Sequence, residues 1–272
     1  MMKFGPGKWT VIPTPRPNAR IRLLCFHHAG GGAFGYRDWA ACLNAEVELV
    51  AVQLPGRENR FSEPPCGSVD EILDALAPIL GAQLGVDYAI FGHSLGATLA
   101  YLLARRIART REMPAPTRLI VSGAAPPIRR CPDDPVRPPL TDVELVERLR
   151  QFGGTPEVVL DNAAMMAAFL PTMRADFELV ASCAPIEERR LDVPITALRG
   201  DEDKAVDPEA FARWTALSSH PSQVHLLPGG HFYFRTAPAA TFDVLNTVLA
   251  ADLLQLIRIP SQIHEPNSPR DL

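Results

Sequence analysis

Short apolar runs alternate along the chain with longer stretches whose apolar positions recur every three or four residues. The runs cover 21–26, 47–52, 88–91, 118–122, 195–199 and 223–227. Most are continuous rather than alternating, as in parallel strands covered on both faces. Helical spacing fills 36–44, 69–84, 95–109, 208–217 and 236–256. Strands and helices in turn predict an α/β fold built on a mostly parallel, doubly wound sheet.

One connection breaks the alternation. Residues 124–193 lie between two predicted strands where a crossover of about a dozen residues is enough. The segment opens with Pro126, Pro127, Pro132, Pro135, Pro138 and Pro139, a stiff irregular stretch. Helical patterns follow at 142–152 and 161–183, parted by Gly153-Gly154-Thr155-Pro156. Such an insertion is either a lid over a site or an outgrowth, and its position decides which. The expected organisation is an N-terminal arm (1–18), one domain (19–259) carrying the insertion, and a C-terminal tail (260–272). Both ends are expected to be loosely held.

Composition removes whole classes. Of 272 residues, 47% are hydrophobic and 21% charged, which is a globular balance rather than a disordered one. A net charge of −4 offers no argument for nucleic acid or an anionic membrane surface. The proline-rich start lacks the apolar core of a signal peptide, and no transmembrane run is expected. Cys25, Cys42, Cys66, Cys131 and Cys183 are scattered and without a CxxC pair, which suggests reduced thiols and a cytoplasmic protein.

The residues suited to chemistry sit at predicted strand ends. Gly92-His93-Ser94-Leu95-Gly96 follows one apolar run and opens a helical one. A serine on such a turn needs small neighbours, and the helix N-terminus beyond it favours a developing oxyanion. Ser94 is therefore the candidate nucleophile, and it needs a base. His231 follows Pro228-Gly229-Gly230 just past the last strand, at the carboxyl edge where open α/β sheets bind ligands. His93 is expected to pack within the turn, and His220, His225 and His264 to be structural or solvent-facing. The orienting acid should fall between serine and histidine in the chain. In Gly200-Asp201-Glu202-Asp203, Asp203 is favoured and Asp201 is the alternative. The glycine-rich loop His27-His28-Ala29-Gly30-Gly31-Gly32 suits an oxyanion hole, with the N–H groups of Ala29 and Leu95 as donors. No Gly-Lys-Ser/Thr or GxGxxG accompanies these glycines, so a phosphate loop is not indicated.

Several segments together resemble the type II (external) thioesterases that accompany non-ribosomal peptide and polyketide synthases, within the α/β-hydrolase superfamily. They are Cys25-Phe26-His27-His28-Ala29-Gly30-Gly31, Leu54-Pro55-Gly56-Arg57-Glu58, Phe91-Gly92-His93-Ser94-Leu95-Gly96-Ala97 and Gly153-Gly154-Thr155-Pro156. Leu170-Pro171-Thr172-Met173-Arg174-Ala175-Asp176-Phe177 and Gly229-Gly230-His231-Phe232 complete the set. The resemblance implies an α/β-hydrolase fold with a helical lid between strands six and seven. It also implies hydrolysis of acyl or aminoacyl groups from the phosphopantetheine thiol of carrier proteins, removing aberrant units from a synthase. The roles implied are Ser94 as nucleophile, Asp203 as acid, His231 as base, and Ala29 and Leu95 as oxyanion donors. No metal or organic cofactor is expected, since the substrate itself carries phosphopantetheine. Acyl or peptidyl carrier domains are the expected partners of a monomer that engages neither nucleic acid nor membrane. Two positions depart from the family pattern: His27 replaces a usual proline, and Cys183 stands where an aromatic residue is expected near the lid.

Thioester cleavage suits these groups, because a thiol of pKa about 8.5 leaves more easily than an amine or alkoxide. A medium-chain acyl-carrier-protein thioesterase and an oxygen-ester carboxylesterase use the same three residues and remain alternatives. A catalytically silent binding protein is the remaining class, against which the intact residues argue. Met166, Phe169, Met173 and Phe177 form one helical stripe, expected both to pack the lid and to line an acyl chamber. Arg57, Arg60, Arg129 and Arg130 are expected candidates for a rim facing an acidic carrier.

Overall fold

Successive side chains of a buried strand face opposite layers, so each apolar run must satisfy two cores at once. The computed structural model describes residues 3–4, 8–83, 86–111, 113–128, 140–183 and 189–258. Among them β1 (Lys3–Phe4), β2 (Thr10–Ile12), β3 (Ile21–Phe26), β4 (Val47–Val52), β5 (Asp87–His93), β6 (Arg118–Ser122), β7 (Ile195–Gly200) and β8 (Gln223–Leu227) form one sheet. Its order is β1-β2-β4-β3-β5-β6-β7-β8, parallel from β4 to β8 and antiparallel at β1 and β2. The helices are α1 (Val69–Gln83), α2 (Leu95–Thr110), α3 (Asp142–Phe152), α4 (Glu157–Leu160), α5 (Ala163–Ser182), α6 (Pro208–Ala212), α7 (Tyr233–Thr236) and α8 (Pro238–Arg258). Leu24 and Phe26 of β3 join a core with Leu76 of α1 and Leu99 of α2. Ile21, Leu23 and Cys25 join the other, with Trp39 and with Leu245 and Leu249 of α8. That double duty makes the runs continuous.

Several expectations change in the folded chain. Segment 36–44 is not a helix but the end of one 3-10 turn (Ala33–Tyr36) and a second (Trp39–Ala41). Aromatic anchoring overrides helical spacing there: the Tyr36 hydroxyl donates to the Phe26 carbonyl at 2.7 Å, and Trp39 packs 5.1 Å from both Phe91 and Phe242. Pattern 208–217 divides into α6 and a 3-10 turn, 161–183 begins only at Ala163, and 236–256 divides at Pro238. The arm is not loosely held throughout. Thr10 and Val11 are buried where β-branched β2 pairs with β4, and the Arg16 N–H donates to Glu48 Oε1 at 2.7 Å. The tail 260–272 lies outside the described residues.

The insertion falls between β6 and β7, the sixth and seventh strands. It consists of α3, α4 and α5 around a small core of Leu149, Leu160 and Met166. Thr141 and Glu144 form a capping box at α3, and Gly153 closes it with φ +68°. Leu179 at the far end of α5 reaches the main core.

Helix α8 contains 19 residues (Pro238–Leu256) of mean hydropathy 1.2, enough by length and composition to cross a membrane, although the sequence predicted no such run. Its apolarity has a different use, since Phe242, Leu245, Val248, Leu249 and Leu253 pack against the sheet. Asp252 on the same helix pairs with Arg118 of β6, whose Nε donates to Oδ2 at 2.9 Å. Both side chains are buried. Asp252→Ala strands a buried cation and is expected to cost about 3–5 kcal/mol. Asp74→Ala, at an exposed pair with Arg106, should cost less than about 1 kcal/mol. Urea denaturation of the two variants tests this, and equal losses would contradict it.

Candidate active site

The sheet forces a tight corner where β5 gives way to α2. Ser94 occupies it with φ 55° and ψ −118°, and its N–H donates to the Ser122 carbonyl on β6 at 2.8 Å. It stands at the helix N-cap, yet its side chain makes no capping hydrogen bond among the described residues. The flanking glycines are there for space. A methyl on Gly96 would strike the Phe26 carbonyl, and one on Gly92 would strike the Gly96 backbone.

His231 lies on the loop after β8 and is buried. Its Nδ1 donates to Asp203 Oδ2 at 2.8 Å, while Ala205 N–H donates to Oδ1 at 2.9 Å. The two carboxylates left open by the sequence therefore have separate roles. Asp203 orients the imidazole, and exposed Asp201 accepts the Gly229 N–H at 2.9 Å, holding the loop that carries His231. His93, adjacent to Ser94, sits 4.9 Å from His231 ring to ring. It packs within the turn as expected, bonded to Ser122 Oγ at 2.8 Å, and Ser122 is bonded in turn to the Tyr233 hydroxyl at 2.5 Å.

The glycine-rich loop after β3 closes the other side. The His28 carbonyl accepts Gly31 N–H at 2.9 Å and His27 Nδ1 at 2.8 Å. A planar peptide points its N–H opposite its carbonyl, so these bonds fix the plane that carries the Ala29 N–H. Among the described residues neither the Ala29 nor the Leu95 N–H meets an acceptor, and Leu95 begins α2, where the first N–H groups have no helical partner. His27, the departure from the family's proline, thus supports this peptide. Burial, reinforced by the Arg57 charge, lowers its pKa to about 3. Burial and then neighbouring charges also hold His28 and His93 well below the ordinary histidine value.

The insertion lies over these groups. Phe152, at the end of α3, stacks on His231 at 4.7 Å and 25°, and Phe177 of α5 stacks on Phe152 at 6.1 Å. The predicted stripe divides. Met166 belongs to the lid core; Met173 and Phe177 pack against that core and also reach Gly30 and the Phe152 ring, whereas Phe169 is 43% exposed. Cys183 caps α5, its thiol on the Leu179 carbonyl at 3.1 Å. The expected arginine rim is not found at Arg57 or Arg60. Arg57 is buried against Asp176, and Arg60 is buried, paired with Glu63 and stacked 4.4 Å from the Trp9 ring. Arg129, Arg130 and His264 lie outside the described residues. His220 is exposed and bonded to Asp192 at 2.9 Å, and His225 lies partly exposed on β8. Sequence reasoning passed over Phe152, Tyr233 and the Arg57–Asp176 pair. In the sequence Arg57 reads as a rim candidate and Asp176 only as part of a motif segment, with nothing to join them.

The family model for the thioesterase domain matches residues 21–249. The gramicidin S biosynthesis protein GrsT of Aneurinibacillus migulanus is 34% identical over 84% of this chain and 88% of its own length. The medium-chain S-acyl fatty acid synthase thioesterase of Rattus norvegicus is 35% identical over 80% of this chain and 82% of its own. Among solved structures, the type II thioesterase BorB from the borrelidin biosynthetic cluster has a TM-score of 0.76 at 35% identity. That match covers 87% of this chain and 96% of BorB.

The buried histidines make stability depend on pH. In the folded chain His27 stays neutral down to about pH 3, whereas an unfolded histidine protonates near 6.5. Between those values the unfolded state binds the extra proton, so stability falls as pH drops, by about 1.4 kcal/mol per pH unit for each such group. Urea midpoints measured from pH 7.5 to 5 should decline, and His27→Gln should flatten the decline. A level profile would count against these buried neutral rings.

Proposed function

Because the chain belongs to the thioesterase-domain family of α/β-hydrolases, we propose that it hydrolyses acyl or aminoacyl thioesters carried on the phosphopantetheine arm of carrier proteins, clearing aberrant units from a peptide or polyketide synthase. The observation that carries this reading is the buried 2.8 Å His231–Asp203 hydrogen bond, its imidazole 4.9 Å ring to ring from His93, the residue that precedes Ser94 on its positive-φ corner. Ser94 Oγ attacks the thioester carbonyl while His231 Nε2 takes its proton. The tetrahedral oxyanion accepts the N–H groups of Ala29 and Leu95. As the C–S bond breaks, His231 returns the proton to the departing thiolate, leaving an acyl-serine. Water attacks that ester, giving a proton to His231, and the free acid and Ser94 hydroxyl are restored. Asp203 holds the imidazole through Nδ1, which leaves Nε2 for proton transfer, and stabilises the imidazolium. The route calls for no metal or organic cofactor. Similarity to GrsT and BorB supports a carrier-bound substrate.

Likeness to the rat medium-chain enzyme favours a second substrate reading, fatty acyl release. A panel of carrier proteins loaded with aminoacyl, short acyl and octanoyl groups, followed by mass spectrometry, separates the two. Ser94→Ala should abolish turnover, and Asp203→Asn should lower kcat by about 10^4-fold. Preference for a simple aryl ester over every loaded carrier would overturn the thioesterase reading.

We propose that Met173 and Phe177 bound the acyl chamber. Phe177→Ala is expected to raise octanoyl over butyryl turnover, as a kcat/KM ratio, by about tenfold or more. An unchanged ratio would remove the lid from substrate selection.

A further inference from the structure

Two motif segments that the triad leaves unexplained meet beneath the lid. Arg57 follows β4, and Asp176 lies on α5, 119 positions further on. Arg57 Nη1 donates to Asp176 Oδ2 at 2.7 Å and Nη2 donates to Oδ1 at 2.9 Å, with side-chain exposures of 6% and 1%. The pair also grips the glycine-rich loop. Asp176 Oδ2 accepts the Gly30 N–H at 2.7 Å, and Arg57 Nη1 donates to the Gly31 carbonyl at 3.3 Å. Neighbouring residues extend the grip, since Gln53 Oε1 accepts Ala33 N–H at 2.7 Å and Glu58 Oε1 accepts Phe34 N–H at 3.1 Å.

Stability gives little reason to keep such a pair, because apolar residues of similar volume often serve as well or better in its place. Its bonds point to another purpose. Gly30, at φ +70°, follows the residue whose N–H faces the oxyanion, and Asp176 bonds it from the lid. We infer that Arg57 and Asp176 are positioning residues that assemble the oxyanion hole only when α5 is seated on the body. This rests on Ala29 as an oxyanion donor. When α5 lifts, the Gly30 N–H and the Arg57 guanidinium lose their partner, and the loop is no longer held at the spacing the oxyanion requires. Chemistry is thereby coupled to lid closure.

The test uses the full chain with Arg57→Met and Asp176→Leu combined, which removes both charges and leaves none unpaired, alongside Asp176→Asn alone. For both variants kcat on an acyl-carrier substrate should fall by about 100-fold, the scale of one lost oxyanion donor, with KM within about threefold. Affinity for an alkyl boronic acid, which forms a tetrahedral adduct on Ser94, should fall by the same factor as kcat. The urea midpoint of the double variant should stay at or above the wild-type value. Wild-type kcat and boronate affinity in the double variant would overturn the inference, as would a kcat loss without a boronate loss. Fluorophosphonate labelling separates the failures. If Ser94 of the wild-type chain is not labelled, the hydrolase reading falls and this one with it; if it is labelled and the variants match wild type, only the coupling falls.

Discussion

Ser94 holds a sparsely populated positive-φ conformation that costs about 1–3 kcal/mol and persists because the surrounding contacts fix it. Its N–H is tied to β6, its successor starts α2, and the glycines on either side let β3, β5 and α2 approach to backbone contact. A single methyl at Gly96 would separate α2 from the Phe26 carbonyl. The same carbonyl accepts the Tyr36 hydroxyl, so the corner and the start of the glycine-rich loop share one anchor. Strain at the serine and the anchoring of the loop's Tyr36 end are two results of one close packing.

The base is supplied from elsewhere. His231 and Asp203 come from the ends of β8 and β7, and Gly200 packs against the turn at Gly229 and Gly230 to bring them together. Around the imidazole the wall is aromatic: Phe152 stacks on one side, and His93, Phe232 and Tyr233 form a cluster beside it. Three further histidines are held below the ordinary histidine value, and two arginines lie close by: Arg57, neutralised by Asp176, and Arg235, stacked 4.5 Å from the Phe232 ring. A low-dielectric surround of this kind strengthens each remaining dipole.

Features encoded over short stretches were legible in the sequence. The strand cores 21–26, 47–52, 118–122 and 223–227 have the bounds their apolar runs predict, and the Gly92–Gly96 corner stands where the motif puts it. Spacing favours Asp203 over Asp201; in the fold Asp203 bonds the His231 ring and Asp201 bonds the Gly229 N–H. What escaped depends on distant partners. Arg57 reads as a surface cation because Asp176 is 119 residues away. Segment 36–44 carries helical spacing, but Tyr36 and Trp39 gain more from burying their rings than from a regular helix. Thr10–Ile12 looks like part of a loose arm until the free edge of β4 is known.

The lid carries a core of its own, Leu149, Leu160 and Met166, far smaller than either core of the sheet. A unit with so little buried apolar surface opens at a lower free energy than the whole molecule unfolds. Amides of α3 and α4 are therefore expected to exchange their hydrogens through sub-global opening, and those of β3 and β5 only on complete unfolding. In energetic terms the chain is expected to behave as two cooperative units on one continuous sheet, a slow-exchanging body that stores the serine's strain and a faster-exchanging cover.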